Sequence, residues 1–98
     1  MHTNITQLIG SPASGFPVLV AAAGNAVPAS ASPRTVLVQN IGTNAATVAH
    51  SNGGTPAITL NADTGADAGN GGQAWFYGTN AAFWIAGTTP SVRVTVYA

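Results

Sequence analysis

The strongest structural signal in the chain is a strict alternation near its end, in residues 91–97 (SVRVTVY). Every second residue of this stretch is valine, and the residues between are polar or aromatic. Successive side chains of a β-strand point to opposite faces of a sheet, so the pattern predicts a strand with one buried face. We therefore expect Val92, Val94 and Val96 to lie in the core, and Arg93 and Tyr97 to face solvent or a neighbouring subunit.

Shorter pieces of the chain carry the same type of signal, and turn-forming residues separate them. The resulting strand predictions cover residues 16–23, 34–41, 45–50, 56–60, 73–77 and 82–86. The segments 24–33 and 61–72 are predicted as loops, and 73–77 with 82–86 as an aromatic hairpin about residues 78–80. About seven to eight short strands predict an all-β fold, either a single antiparallel β-sandwich or a jelly-roll-like barrel.

A length of 98 residues suits one domain with one core. We place the β-sandwich domain at residues 16–98 and an extended N-terminal arm at residues 1–15. The large apolar residues of the arm are Ile5, Leu8 and Ile9, and a Gly- and Pro-rich break follows them. The arm is therefore predicted to dock on a larger assembly or on a neighbouring subunit rather than to join the core.

Charge is scarce along the whole chain. Its formal charges are Arg34, Arg93, Asp63 and Asp67, with no lysine or glutamate and a net charge of zero. A typical soluble domain is about 25% charged, and net charge normally keeps dissolved molecules apart. This composition predicts a protein that works within an assembly, as a homo-oligomer. It also argues against nucleic-acid binding, which needs several basic residues to meet phosphates.

No targeting or membrane segment is predicted. The longest apolar stretch, residues 16–23, is too short to cross a bilayer. Its small residues resemble a signal-peptide cleavage region, but no basic residue precedes it and prolines interrupt it. The chain contains no cysteine, which excludes disulfides and thiolate ligands.

Candidate catalytic and metal residues are few. Asp63 and Asp67 stand four apart in a Gly-rich loop that suits calcium, but the closing glutamate of an EF-hand is missing, so a solvated loop with Asx turns is the preferred interpretation. The imidazoles are His2 and His50, and no G-x-S-x-G pattern accompanies them. We expect no enzyme activity, no cofactor and no metal, while cation binding by the two aspartates stays open.

The aromatic residues are the most serious binding candidates. Alternation places Trp75 and Tyr77 on one face of their strand, and Trp84 on the face opposite Phe83 and Ile85. Three interpretations are open for these side chains: both tryptophans fill an alanine-rich core, the aromatics form a subunit interface, or they form a platform for a sugar.

A longer pattern resembles a known group of proteins. It consists of R-x-V-x-V-x-N-x-G-T-N at residues 34–44, Thr47-Val48 after it, an aromatic strand at 83–86 and V-R-V-x-V at 92–96. This pattern is similar to that of small β-sandwich virion proteins of tailed bacteriophages, of the capsid decoration (cement) or head-fibre type. The resemblance covers residues 34–98.

The resemblance implies a structural virion protein, specifically a capsid decoration subunit. Such a protein forms a homo-oligomer, often a trimer, on the outside of a bacteriophage head and binds the major capsid protein or neighbouring virion subunits. It is made in the host cytoplasm without a signal peptide. The alternative is a receptor- or carbohydrate-binding β-domain of a phage fibre or spike, with a glycan receptor. An ice-binding protein is a third hypothesis, although no fixed Thr-x-Thr repeat supports it.

Overall fold

The computed structural model describes residues 12–63 and 72–97, and within them the chain is all-β with no helix. Its eight strands are β1 (Val18–Val20), β2 (Gly24–Val27), β3 (Arg34–Asn40), β4 (Ala46–Ala49), β5 (Ile58–Leu60), β6 (Gln73–Thr79), β7 (Phe83–Gly87) and β8 (Val92–Tyr97). The predicted all-β class is thereby confirmed. Among the described residues there is accordingly no helix of the length and apolarity needed to cross a membrane.

The strands form two four-stranded antiparallel sheets that pack as a sandwich. The first sheet has the order β1-β8-β3-β6 and the second the order β2-β7-β4-β5. Strands β3 and β8 lie at the centre of the first sheet, where Val36 is paired with Val96 and Val38 with Val94. Because paired residues point to the same side, these valines present one apolar face to the second sheet.

The core lies between the two sheets. Val92, Val94 and Val96 are buried there, as the alternation in residues 91–97 predicts. The second sheet contributes Phe83 and Ile85 from β7, which are also fully buried. The remaining core side chains are Val27, Val36, Val38, Ala46, Val48 and Leu60.

The predicted aromatic hairpin is wrong. Strand β6 pairs with β3 in the first sheet, whereas β7 pairs with β2 and β4 in the second. The chain therefore crosses between the sheets at residues 80–82 instead of turning back on itself. Backbone contacts fix this crossing, since the amide of Ser30 donates to the carbonyl oxygen of Asn80 at 3.0 Å.

Strand β2 corrects a second prediction, because residues 24–33 were predicted as a loop. Gly24–Val27 pairs with β7 in an irregular register. Its sequence, GNAV, has little strand propensity of its own, so the neighbouring strand decides its conformation. The side-chain amide of Asn25 supports the pairing by donating to the carbonyl oxygens of Val27 and Phe83, at 3.1 and 3.3 Å.

Two residues near the end of the predicted arm contact the last strand of the sandwich. Pro12 forms an isolated bridge with Tyr97, and the amide of Ala13 donates to the carbonyl oxygen of Val96 at 2.6 Å. Pro12 and Ala13, which lie within the predicted arm 1–15, are therefore held against β8. The arm residues Ile5, Leu8 and Ile9 lie outside the described residues.

Candidate functional site: the outer face of the first sheet

The outer face of the first sheet carries a cluster of aromatic and apolar side chains, which we call the aromatic face: Leu37, Trp75, Tyr77, Thr95 and Tyr97. Strand pairing brings them together, because Leu37 of β3 lies opposite Trp75 of β6 on one side and Thr95 of β8 on the other. Residues two apart on one strand share a face, which adds Tyr77 and Tyr97.

The three rings of this face are nearly parallel. Trp75 and Tyr77 have ring centroids 5.9 Å apart and planes inclined by 9°. Trp75 and Tyr97 are 5.8 Å apart with planes inclined by 27°. Offset parallel packing of this type is favourable for aromatic pairs and adds to the gain from burial. The rings therefore form one ordered group rather than three separate side chains.

The outer face is unevenly exposed to solvent. Leu37 and Thr95 point away from the core, yet they are only 7% and 5% exposed. Tyr77 in contrast is 65% exposed, and Leu19 on the neighbouring edge strand is 55% exposed. The aromatic face thus presents exposed apolar surface to a partner, and the buried side chains beneath it hold that surface in place.

The larger polar side chains of the first sheet's outer surface, Gln39, Gln73 and Arg93, lie towards one end. Gln39 is opposite Gln73 and Arg93, and its side-chain nitrogen donates to the side-chain oxygen of Gln73 at 3.3 Å. Arg93 is exposed. The chain has two arginines and no lysine. Because Arg34 is buried, Arg93 carries the guanidinium that is available to a partner.

Trp84 lies on the opposite side of the sandwich from Trp75 and Tyr77. It faces outward from the second sheet, where it is paired with Ala49. It lines a groove of about 420 Å³ together with Thr47, Ser51 and Asn52. The structure therefore brings Trp75 and Tyr77 together but not Trp84. The interpretation in which both tryptophans fill the core is wrong, because neither is among the buried residues.

Arg34 is a structural residue that the sequence did not single out for any contact. It is 8% exposed. Its Nη1 donates to the carbonyl oxygen of Thr79 at 2.9 Å, and its Nη2 donates to those of Pro28 and Ala81 at 2.5 and 3.1 Å. Burial lowers the pKa of this guanidinium, although an arginine stays protonated at neutral pH. Because both terminal nitrogens bind backbone, Arg34 stabilises the fold.

His50 and Asp63 are the other titratable candidates that the structure describes. His50 is exposed, its Nδ1 lies 3.0 Å from the carbonyl oxygen of Ala82, and its ring packs edge-on against Phe83 at 5.0 Å. Asp63 is held through its backbone amide, which donates to the carbonyl oxygen of Gly42 at 2.7 Å. Residues 12–63 and 72–97 contain no cluster of three metal-ligating side chains. His2 and Asp67 lie outside the described residues.

Comparison of the chain with models of protein families, with curated proteins and with solved structures gives no match. Its function therefore has to be inferred from the aromatic face, the groove at Trp84 and the composition.

Proposed function

We propose that this chain is a structural virion protein, a capsid decoration subunit that docks through its aromatic face on the outside of a bacteriophage head. Its partners are the major capsid protein and neighbouring virion subunits. Docking adds binding free energy to the assembled shell, because a ligand that binds only the assembled state stabilises that state by mass action.

The observation that carries the proposal is the exposed aromatic face. The centres of protein interfaces are enriched in tryptophan and tyrosine and depleted in charged residues. Trp75, Tyr77 and Tyr97 form such a centre, and strand pairing fixes their positions before a partner arrives. A group that is ordered in advance loses less conformational entropy on binding.

The scarcity of charge supports the same proposal. With four formal charges in 98 residues, the chain has little electrostatic protection against association. In a protein that works as a free monomer, selection acts against a surface with so little charge. A subunit fixed in a shell keeps such a surface covered. The resemblance of residues 34–98 to decoration proteins indicates that this shell is a bacteriophage head.

Co-sedimentation tests this proposal directly. Purified chain is mixed with undecorated shells assembled from the major capsid protein of the phage that encodes it, and the bound fraction is measured against concentration. We expect saturable binding that Tyr77→Ser weakens by about tenfold or more, because the most exposed ring of the face is lost. The control is Thr59→Ala, an exposed position on the second sheet, which should bind as the wild type does. Absence of saturable pelleting, or equal binding by Tyr77→Ser, contradicts the proposal.

A second candidate function is carbohydrate binding by a fibre or spike domain, and the groove at Trp84 is the observation that favours it. Its volume of about 420 Å³ lies in the range of small-ligand sites. A tryptophan beside Thr47, Ser51 and Asn52 offers an apolar ring with hydroxyl and amide partners, which suits a neutral sugar. An array of neutral glycans distinguishes the candidates: sugar binding should disappear in Trp84→Ala and persist in Tyr77→Ser.

A further inference from the structure

The four edge strands of the sandwich differ in length. The edges are β1 and β6 in the first sheet and β2 and β5 in the second. Strands β1, β2 and β5 have three, four and three residues, whereas β6 has seven. An edge strand presents unpaired backbone donors and acceptors that invite another chain, and short length is one way in which proteins limit this.

The open side of β6 can be read from its pairing with β3. The amide of Asn40 donates to the carbonyl oxygen of Gly72 at 2.8 Å, and the register then continues unbroken from Gln39–Gln73 to Val36–Phe76. In an antiparallel pair, alternate residues point their backbone groups toward the partner. The carbonyl group of Gly72 and both backbone groups of Ala74 and Phe76 therefore face β3, while the amide of Gly72 donates to the carbonyl oxygen of Asn61 at 2.9 Å. Gln73 and Trp75 direct their N–H and C=O groups to the open side.

Within residues 12–63 and 72–97, strand β6 has none of the usual protective features on that side. It contains no charged residue and no proline, whereas Pro17 directly precedes β1 and an irregularity interrupts β2. The irregularity of β6 lies at its far end, opposite Arg34 and Val36, so residues 73–76 remain regular. Within the described part of the chain, no further strand lies beyond β6.

From this edge we infer that β6 pairs antiparallel with β6 of a second copy, joining two first sheets into one eight-stranded sheet. The occupant is a second copy because two identical antiparallel strands are self-complementary about a two-fold axis. In a pair centred between these two residues, the open-side groups of Gln73 in each copy meet those of Trp75 in the other copy. Strand β6 carries no charge that would repel its copy.

The aromatic face supplies the second argument for a copy of the same chain. Trp75 and Tyr77 belong to the edge strand itself and stand on the outer face. Pairing of two β6 strands places the aromatic faces of both copies side by side. Tyr77, which is 65% exposed in the single chain, then gains a neighbour across the new ladder. This inference does not depend on the proposed function.

Two-fold pairing produces a dimer rather than the trimer that the resemblance implies, so mass in solution is the first test. The full chain is measured by sedimentation equilibrium over a range of concentrations. Gln73→Pro removes an N–H on the open side only, and Gln73→Lys places a charge at the edge. Both should raise the dimer dissociation constant by about tenfold or more while cooperative unfolding of the single chain is kept.

Thr59→Lys is the matched control, because it adds the same charge to an exposed position on the edge strand β5 of the other sheet. It should leave the dimer intact. Hydrogen exchange supplies an independent measurement: the amide of Trp75 should be protected in the dimer and should exchange rapidly after dilution or in Gln73→Lys.

Four outcomes overturn the inference. They are a wild-type chain that is monomeric at high micromolar concentration, a trimer, a dimer that Gln73→Pro and Gln73→Lys leave unchanged, and a monomer in which the Trp75 amide already exchanges slowly. The last outcome means that the chain covers its own edge. The two proposals can fail separately. If Gln73→Lys is monomeric and still binds shells, dimerisation through β6 is supported and the proposed function is kept.

Discussion

The guanidinium of Arg34, at the first residue of β3, donates a hydrogen bond of 2.9 Å to the carbonyl oxygen of Thr79, the last residue of β6. The same group binds the carbonyl oxygens of Pro28, before β3, and Ala81, in the crossing between the sheets. One side chain thus holds three separate backbone segments at one end of the sandwich.

Replacing this side chain tests its structural role. We expect Arg34→Lys to lower the free energy of unfolding by about 1 to 3 kcal/mol, because a single ammonium lacks the forked geometry that reaches all three carbonyls and leaves partly buried acceptors unpaired. Urea unfolding measures the change. Arg93→Lys on the exposed surface is the control and should cost less than about 0.5 kcal/mol. Equal urea midpoints for Arg34→Lys and the wild type would show that the contacts add nothing to stability.

The fold class and the terminal strand were predictable from the sequence because alternation reports the period of a strand directly. The pairing of strands was not. Residues 73–77 and 82–86 are close in sequence and aromatic, which favoured a hairpin, yet they belong to different sheets. Phe76 and Phe83 do meet, with ring centroids 4.9 Å apart, but they meet through the core from opposite sheets. Their contact therefore comes from the packing of the two sheets and not from a hairpin.

Asn40 provides a pH-dependent prediction. It is buried, its Nδ2 donates to the carbonyl oxygens of Asn44 and Leu60 at 2.8 and 3.3 Å, and its Oδ1 accepts from the amide of Gly42 at 3.0 Å. In Asn40→Asp the carboxylate cannot donate to either carbonyl. We expect a loss of about 3 to 5 kcal/mol at neutral pH.

Part of that loss should be recovered in acid. Burial and the nearby carbonyl oxygens raise the pKa of the introduced carboxyl above its unfolded value of about 3.9, so the folded state binds the proton more tightly. Stability of Asn40→Asp relative to wild type therefore falls as pH rises above about 4. Urea midpoints across the acid range measure this slope. Asn52→Asp, at an exposed side chain, is the control and should show little of it.

The candidate site was predictable in part. Alternation placed Trp75 and Tyr77 on one face, and the structure stacks their rings. Tyr97 was predicted to face outward but not to join Trp75, and Leu37 was missed, because both contacts depend on strand order. Leu37 stands in an apolar run between Val36 and Val38, so the sequence does not show that it faces outward. Only the pairing of β3 with β6 and β8 settles its side of the sheet.

Close backbone approach at Gly72 leads to a prediction with an internal control. A Cβ at Gly72 would lie 2.5 Å from the amide nitrogen of Asn61, a backbone atom that cannot rotate away, whereas a Cβ at Gly24 would meet nothing within 4 Å. Gly72→Ala should therefore destabilise by about 1 to 3 kcal/mol. Gly24→Ala should be neutral or stabilise by about 0.5 kcal/mol, since it lies in a strand. Thermal unfolding compares them, and equal melting temperatures contradict the prediction.

Deletion of residues 1–10 separates the role of the arm from that of the sandwich. The sandwich is anchored from Pro12 and Ala13 onward, so its core should not need Ile5, Leu8 and Ile9. Docking these side chains on a partner contributes at most about 1.5 to 3 kcal/mol each, less the entropy of ordering the segment. We expect thermal unfolding to stay nearly unchanged and attachment to shells or neighbouring subunits to weaken by about tenfold or more. A truncated chain that fails to fold, or that decorates shells as tightly as the full chain, would show that the arm is not a docking element.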